Sequence, residues 1–157
     1  HEQLSLCYDK TYQLSKAIEE GLIALKFEPN NTKNLFIQGR LYEKSKEFDK
    51  AESYYTKALE IEDAPLDAQY TQLGRVLNYQ KKYAEAIQVL NKARQENPKN
   101  DTAAFYLLQS KNAYYEDFDT KINLYQKFIK EFPDSVLKTV AAAQLSQLKQ
   151  EKFMNTD

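Results

Sequence analysis

The four prolines of this chain lie at nearly equal intervals. Pro29, Pro65, Pro98 and Pro133 are separated by 36, 33 and 35 residues. Proline lacks a backbone N–H and fixes φ, so each of these positions is expected to end or interrupt a helix. Regular spacing of such breaks indicates one structural unit copied along the chain, and a period of about 20 to 50 residues is typical of stacked repeat proteins.

Other residue types repeat with the same period and keep it more strictly. Aromatic, glycine and alanine positions recur at steps of 35 residues, namely Phe48, Tyr83 and Phe118; Gly39 and Gly74; Ala51 and Ala86; and Ala58 and Ala93. Several residue types that repeat in phase are stronger evidence than any one of them. The sequence therefore predicts a repeat array.

Each unit contains two amphipathic stretches joined by a short polar segment. In the second unit, Leu35, Gly39 and Tyr42 recur at i, i+4 and i+7, which places them on one face of a helix. A second stripe, with steps of three and four residues, runs from Phe48 to Leu59. Two helices of about 13 residues joined by so short a turn must pack antiparallel, as an αα-hairpin.

Composition favours helix and argues against several functions. The 157 residues include only three Gly and four Pro, and they are rich in residues with high helix propensity. The 22 basic and 23 acidic residues give a formal net charge of −1, which argues against a general polyanion binder. No run of 18 apolar residues is present, so no membrane span is expected in the sequence.

Residues that could carry catalysis are scarce. His1 is the only histidine and Cys7 the only cysteine, so we expect no nucleophile–base pair, no Cys-based metal site and no intrachain disulfide. No glycine-rich phosphate-binding loop is present either. The sequence therefore predicts a chain without enzymatic activity, cofactor or metal. Because it opens at His1 rather than Met, we also expect it to be a processed or recombinant fragment.

Taken together, these positions resemble the tetratricopeptide repeat (TPR), whose signature combines Leu-Gly and an aromatic on the first helix with alanines on the second and a closing proline. The third unit carries the pattern most completely, with Tyr70, Leu73, Gly74, Leu77, Tyr83, Ala86, Leu90, Ala93 and Pro98. Three units depart from it: Ser5 takes the glycine slot of the first, Gln38 the leucine slot of the second, and Gln109 and Phe128 a glycine and an alanine slot of the fourth.

The resemblance implies an all-α fold, a right-handed superhelical α-solenoid of antiparallel helix pairs. The units are expected at residues 1–31 (a partial repeat), 32–66, 67–101 and 102–135, followed by a C-terminal capping helix and tail at 136–157. All of these would form one continuous domain. The run from Tyr125 to Ser135 is also similar to a variant frequent in bacterial cell-envelope TPR proteins, which would place the chain in the periplasm or at the cell surface.

The last helix shows a pattern of its own. Asp134 or Ser135 is expected to cap its N-terminus. Its apolar face is expected to contain Val136, Val140, Ala143, Leu145 and Leu148. Such a helix would close the open end of the array, with its polar residues in solvent.

The resemblance also implies where a ligand would bind, because TPR ligands usually lie in the concave groove lined by the first helices. Two arginines, Arg40 and Arg75, follow the glycine slots and are both expected to be exposed there. The full set of expected ligand-binding residues is Phe36, Arg40, Lys44, Arg75, Asn78, Tyr79, Tyr106 and Tyr114. Arginines bind carboxylates bidentately and tyrosines offer rigid contact area, so this groove would suit a peptide or flexible protein segment with acidic groups.

Alternatives to this interpretation remain open at the level of sequence. The two arginines could instead pair with neighbours such as Glu43. An RNA-binding helical repeat has a similar period, although the Gly/Ala/Pro slots and the net charge of −1 favour a protein partner over nucleic acid. The chain could also be a self-assembling structural array that associates through its open N-terminal end.

Overall fold

The computed structural model describes residues 1–10, 13–61 and 66–155, and these ranges contain nine α-helices and no strand. The helices are α1 (Glu2–Lys10), α2 (Leu14–Phe27), α3 (Thr32–Lys44), α4 (Phe48–Ile61), α5 (Asp67–Tyr79), α6 (Tyr83–Glu96), α7 (Asp101–Tyr114), α8 (Phe118–Glu131) and α9 (Leu137–Met154). Each helix packs against the next one along the chain, and α7 also contacts α5 and α9. The all-α architecture expected from the sequence is confirmed.

The helix ends follow the signals in the sequence. Pro29, Pro98 and Pro133 each lie two residues beyond the last residue of a helix, as expected for residues that stop helices. Pro65 lies outside the described residues. At the helix starts, the side chains of Asn31 and Asn100 accept hydrogen bonds from backbone N–H groups three residues on, at 3.0 and 2.8 Å. These bonds satisfy donors that the first turn of a helix leaves without partners.

The small residues of the repeat lie at close contacts between helices. Ala58 and Ala93 are fully buried, with 0% of their surface exposed. A Cβ added to Gly39 would lie 2.6 Å from Cδ1 of Tyr55, and one added to Gly74 would lie 2.5 Å from Cδ2 of Leu90. The glycines are therefore required by the approach of the second helix, since the space beside them holds a large side chain.

In the first unit, the small residue of this helix contact lies on the second helix, where the later units have a large side chain. Ser5, in the glycine slot of α1, donates a hydrogen bond to the carbonyl oxygen of Ala17 at 2.7 Å. The position equivalent to Tyr55 is Gly21, and the space above it is filled by the buried side chain of Gln38. The departures at Ser5 and Gln38 thus compensate for each other across two repeats.

The capping helix α9 turns a different face to the array than the sequence predicts. Ala141 and Leu148 are buried, whereas Val136 is 85% and Val140 46% exposed. Ala143 is exposed too, so three of the five residues expected on the apolar face point away from the core. The residues that pack inward follow steps of three and four residues, from Leu137 through Ala141 and Leu145 to Leu148. Ser135 contributes to the start of α9, because its Oγ accepts a hydrogen bond from the N–H of Leu137 at 3.1 Å.

Candidate functional site

Two open cavities adjoin on the side of the array formed by α1, α3 and α5. The first, of about 440 Å³, is lined by Leu6, Thr32, Lys33, Phe36, Ile37, Arg40, Ala68, Gln69 and Gln72. The second, of about 520 Å³, is lined by Arg40, Glu43, Lys44, Lys46, Phe48, Arg75 and Tyr79. Arg40 lines both cavities and joins them into one surface, which we call the α3–α5 groove.

Five of the eight residues that the sequence predicts as ligand-binding line this groove, namely Phe36, Arg40, Lys44, Arg75 and Tyr79. The other three, Asn78, Tyr106 and Tyr114, do not line either cavity. The structure therefore brings together the part of the predicted set that lies on α3 and at the end of α5. Whether these residues bind a ligand stays a prediction.

Arg40 and Lys44 lie one helical turn apart on α3 and share one carboxylate. Nη2 of Arg40 is 3.6 Å from Oδ2 of Asp9 on α1, and Nζ of Lys44 pairs with the other oxygen of the same group. The two cationic side chains are still 44% and 48% exposed. The Asp9 side chain is only 11% exposed, but the solvation of both cationic partners screens the pairs. Both cations therefore remain accessible to a ligand.

Arg75 differs from Arg40 and corrects the expectation that both arginines are exposed. Its Nε lies 2.7 Å from Oε1 of Glu43, and its Nη2 donates to Oε2 of the same carboxylate at 2.9 Å. The Tyr55 hydroxyl donates to that oxygen as well, at 3.1 Å. Burial acts to lower the pKa of Arg75, but the hydrogen bond and negative charge of Glu43 outweigh it and raise the pKa. The half-buried Arg75 is therefore committed to an internal ion pair, the alternative that the sequence left open.

Asn78 and Tyr106 link neighbouring repeats. The guanidinium of Arg75 lies over the Tyr106 ring, 6.0 Å from its centroid. The side-chain amide of Asn78 donates to the Tyr106 carbonyl oxygen at 3.2 Å and accepts from the Ser110 hydroxyl at 2.7 Å. These contacts hold α5 against α7, so both residues have a structural role.

Exposed aromatic side chains lie at the ends of α5 and α7. Tyr79 and Tyr114 occupy equivalent slots, and each is 54% exposed. The Tyr79 ring stacks on Phe48 with 5.1 Å between centroids, and the Tyr114 ring meets Tyr115 edge-on at 5.4 Å. Neighbouring rings reduce the side-chain freedom that a tyrosine would lose on binding. Of the aromatic residues that line the groove, Phe36, Phe48 and Tyr79, Tyr79 is the most exposed.

Among the charged and aromatic residues, sequence reasoning missed Lys33, Lys46 and Phe48, which line the groove, and Asp9, whose carboxylate pairs with two of its cations. A signal for Asp9 was present, because it lies 34 residues before Glu43 and occupies the same slot of the preceding repeat. That slot contacts the residue after the glycine slot of the next repeat, as Asp9 contacts Arg40 and Glu43 contacts Arg75. A search for opposite charges 31 or 32 residues apart finds both pairs.

The balance of charge in the α3–α5 groove is positive. Five cations line it, Lys33, Arg40, Lys44, Lys46 and Arg75, and three carboxylates, Glu2, Asp9 and Glu43, pair with four of them. The surplus favours a ligand that carries carboxylates. Within residues 1–10, 13–61 and 66–155, no group of His, Cys, Asp or Glu side chains is arranged to hold a metal ion, and no helix is long and apolar enough to cross a membrane.

Comparison with known structures places this arrangement among repeat proteins. The MamA protein is 21% identical, with a TM-score of 0.80 over 94% of this chain and 80% of MamA. A tetratricopeptide repeat protein from Parabacteroides merdae is 20% identical, with a TM-score of 0.82 over 95% of this chain and 57% of that protein. YrrB, described as a TPR protein with an unusual peptide-binding site, is 17% identical, with a TM-score of 0.74 over 95% of this chain and 76% of YrrB. At these identities the likeness shows a shared fold.

Family models agree with the structural likeness. Models of the tetratricopeptide repeat match residues 33–64, 70–100 and 104–135, which together make up well over half of the chain. No curated protein sequence matches it. The matched segments cover most of the helix pairs α3–α4, α5–α6 and α7–α8. The chain therefore belongs to the tetratricopeptide repeat family.

Proposed function

We propose that this chain is a non-enzymatic protein-interaction scaffold whose α3–α5 groove binds an extended peptide segment carrying carboxylates. The observation that carries the proposal is the position of Arg40, which lines both cavities of the groove and keeps 44% of its side chain exposed. A peptide lying along the groove would meet Arg40 whichever cavity it entered. No cofactor or metal takes part.

The groove offers a peptide both charge and apolar contact. Arg40 can bind a carboxylate through two parallel N–H groups, and Lys44 and Lys46 add positive charge beside it. Phe36 in the first cavity and Tyr79 in the second provide apolar surface for side chains next to the acidic residue. The peptide-binding site named for YrrB, a protein of the same fold, supports a peptide as the ligand.

Selection from a displayed library of random 12-residue peptides tests the proposal. We expect the enriched peptides to place Asp or Glu beside an apolar residue. Binding of a labelled enriched peptide, measured by fluorescence anisotropy, should weaken about tenfold in Arg40→Glu, because a charge-assisted hydrogen bond is lost and a like charge replaces it. Added salt should weaken it as well, since the cations are exposed.

Lys57→Glu provides the matched control, because it makes the same change of charge at an exposed position of α4 that does not line the groove. Its affinity for the enriched peptide should equal that of the parent chain. Enriched peptides rich in Lys and Arg, or equal binding by the parent and Arg40→Glu, would show that the groove is not the binding surface for acidic peptides.

A further inference from the structure

A second, smaller cavity lies between α6, α7 and α8, away from the α3–α5 groove. Its volume is about 100 Å³. Three apolar side chains form much of its lining, Leu107 on α7 and Leu124 and Phe128 on α8. Phe128 is 4% exposed and occupies a slot where the other repeats have alanine, so this cavity is particular to the fourth repeat. We call it the α6–α8 cavity.

The charged residues of the α6–α8 cavity are unbalanced. Arg94, Lys111 and Lys127 line it together with a single carboxylate, Glu131. Arg94 already forms an ion pair with Glu131 and also lies over the Phe132 ring. Among the residues that the structure describes, no carboxylate lies within ion-pair distance of Lys111 or Lys127. The two lysines thus share the cavity without a carboxylate paired to either of them, because its one carboxylate, Glu131, pairs with Arg94.

Lys111 occupies a costly position for an ammonium group. It is half-buried near the end of α7, and burial lowers the pKa of its ammonium, with the positive charge of Lys127 adding to the effect. Desolvation and like charge both disfavour the charged form. An anion between the two lysines would relieve both costs, because it would pair with each ammonium and replace part of the lost hydration.

The size of the α6–α8 cavity limits what can accompany the anion. An apolar cavity of about 150 Å³ accommodates benzene. A cavity of about 100 Å³ therefore has room for about four or five carbon atoms. Because the lysines line the same small cavity, the anionic and apolar groups must belong to the same residue or small molecule.

We propose that the α6–α8 cavity binds a carboxylate carried on a branched apolar group of leucine size, with the apolar group against Leu107, Leu124 and Phe128 and the carboxylate between Lys111 and Lys127. Two sources supply this chemistry: a C-terminal leucine-like residue of a polypeptide, and a free branched short-chain acid. The site uses none of the residues of the α3–α5 groove, so this proposal can be tested independently of the function proposed above.

Three probes separate the sources in a titration of the ¹⁵N-labelled chain followed by amide chemical shifts. N-acetyl-leucine represents the polypeptide end, 4-methylpentanoate represents the free acid, and N-acetyl-leucinamide has the same apolar group without charge. We expect at least one of the two carboxylates to cause saturable changes in the amide chemical shifts of α7 and α8 residues. N-acetyl-leucinamide should bind at least fivefold more weakly than that carboxylate. Preference for N-acetyl-leucine assigns the site to chain ends, and preference for 4-methylpentanoate assigns it to free acids.

Variants test the role of the lysines. Lys111→Gln and Lys127→Gln should each weaken binding of the preferred carboxylate at least fivefold, whereas Lys130→Gln, an exposed lysine of α8 outside the cavity, should not. Lys127 is exposed, so its variant keeps the test valid even if Lys111→Gln alters folding. Equal binding of N-acetyl-leucinamide, unchanged affinity in Lys127→Gln, or no saturable shift with either acid would overturn the proposal.

Discussion

Arg40 and Arg75 occupy the same slot of successive repeats, but the carboxylates beside them differ. Their side chains are almost equally buried, 10% exposed for Glu43 and 11% for Asp9, but Glu43 bonds Arg75 at 2.7 Å and also accepts a hydrogen bond from Tyr55. Asp9 stands in the equivalent slot beside Arg40, yet its contact with that arginine is 3.6 Å long and it also pairs with Lys44. The same slot of the repeat therefore holds an arginine in an internal ion pair at Arg75 and a more exposed arginine at Arg40.

This difference predicts that the same substitution, arginine to glutamate, lowers stability by different amounts at the two positions. Arg75→Glu should lower the free energy of unfolding by about 2 kcal/mol or more, because it leaves the Glu43 carboxylate without its cation and places a like charge beside it. Arg40→Glu should lower it by about 1 kcal/mol or less, because the arginine is largely solvated and Lys44 still pairs with Asp9. Urea unfolding of the two variants measures both effects. Equal midpoints would contradict the assignment of Arg75 to an internal ion pair.

At the scale of the helix pair, the sequence predicted most of what the structure contains, and the exceptions have physical reasons. The Gly/Ala slots and prolines located the helix pairs, because close packing leaves a strict signature. The prediction of the buried face of α9 was wrong, because Ala141, Ala142 and Ala143 give more than one face of this helix an apolar pattern. In the α3–α5 groove, the sequence predicted which cationic residues lie there but not their ion-pair partners. Those partners lie 31 to 35 positions away in the sequence, and their contacts depend on how the repeats stack.

The contact between Gly74 and Leu90 predicts a measurable coupling within the third repeat. Gly74→Ala would gain about 1 kcal/mol of helix propensity, but its Cβ would meet the fully buried Leu90, so we expect a net loss of about 1–3 kcal/mol. Leu90→Ala alone should cost about 2–5 kcal/mol. In the double variant the added methyl has room, so its loss should be smaller than the sum of the two. Additive losses in urea unfolding would show that the two residues do not meet.

A polar link between repeats predicts a dependence on pH. The side-chain amides of Asn100 and Asn97 donate to Oδ2 of Asp67 at 2.8 and 2.9 Å, and these hydrogen bonds lower the pKa of Asp67. A carboxyl group whose pKa is lower in the folded state contributes stability above its unfolded pKa, about 3.9. That contribution is lost as the pH falls through the folded pKa, below about 4.

Asn100→Ala tests this link by NMR titration of the Asp67 carboxyl group. We expect the pKa of Asp67 to rise towards its ordinary value, because the Asn100 amide, the donor that stabilises the ionised carboxylate most, is removed. The variant should also lose about 1 kcal/mol of stability, since Asn100 caps α7. Asn31→Ala removes the equivalent cap of α3 without touching Asp67, so it should leave that pKa unchanged. An unaltered Asp67 pKa in Asn100→Ala would refute the link.

Over the whole molecule, the apolar side chains form separate clusters that follow one another along the array. Tyr55 and Leu90 belong to a cluster of the second and third repeats, whereas Phe105 and Phe128 belong to one that α9 covers with Leu148. In repeat proteins stability is close to a sum over units and their interfaces. The C-terminal cluster should therefore be able to loosen while the central one stays folded.

Leu148→Asp tests this separation, because it places a charge where α9 covers the C-terminal cluster, at a side chain that is 8% exposed. We expect hydrogen–deuterium exchange to show a loss of protection in α7, α8 and α9 and nearly unchanged protection in α3 to α6. Ser146→Asp, an exposed position of the same helix, adds the same charge and should leave the pattern of the parent. If protection fell equally in all helices of Leu148→Asp, the array would unfold as one cooperative unit. The two sites proposed above could then not be altered independently, whereas a loss confined to α7–α9 would leave the α3–α5 groove able to bind its peptide.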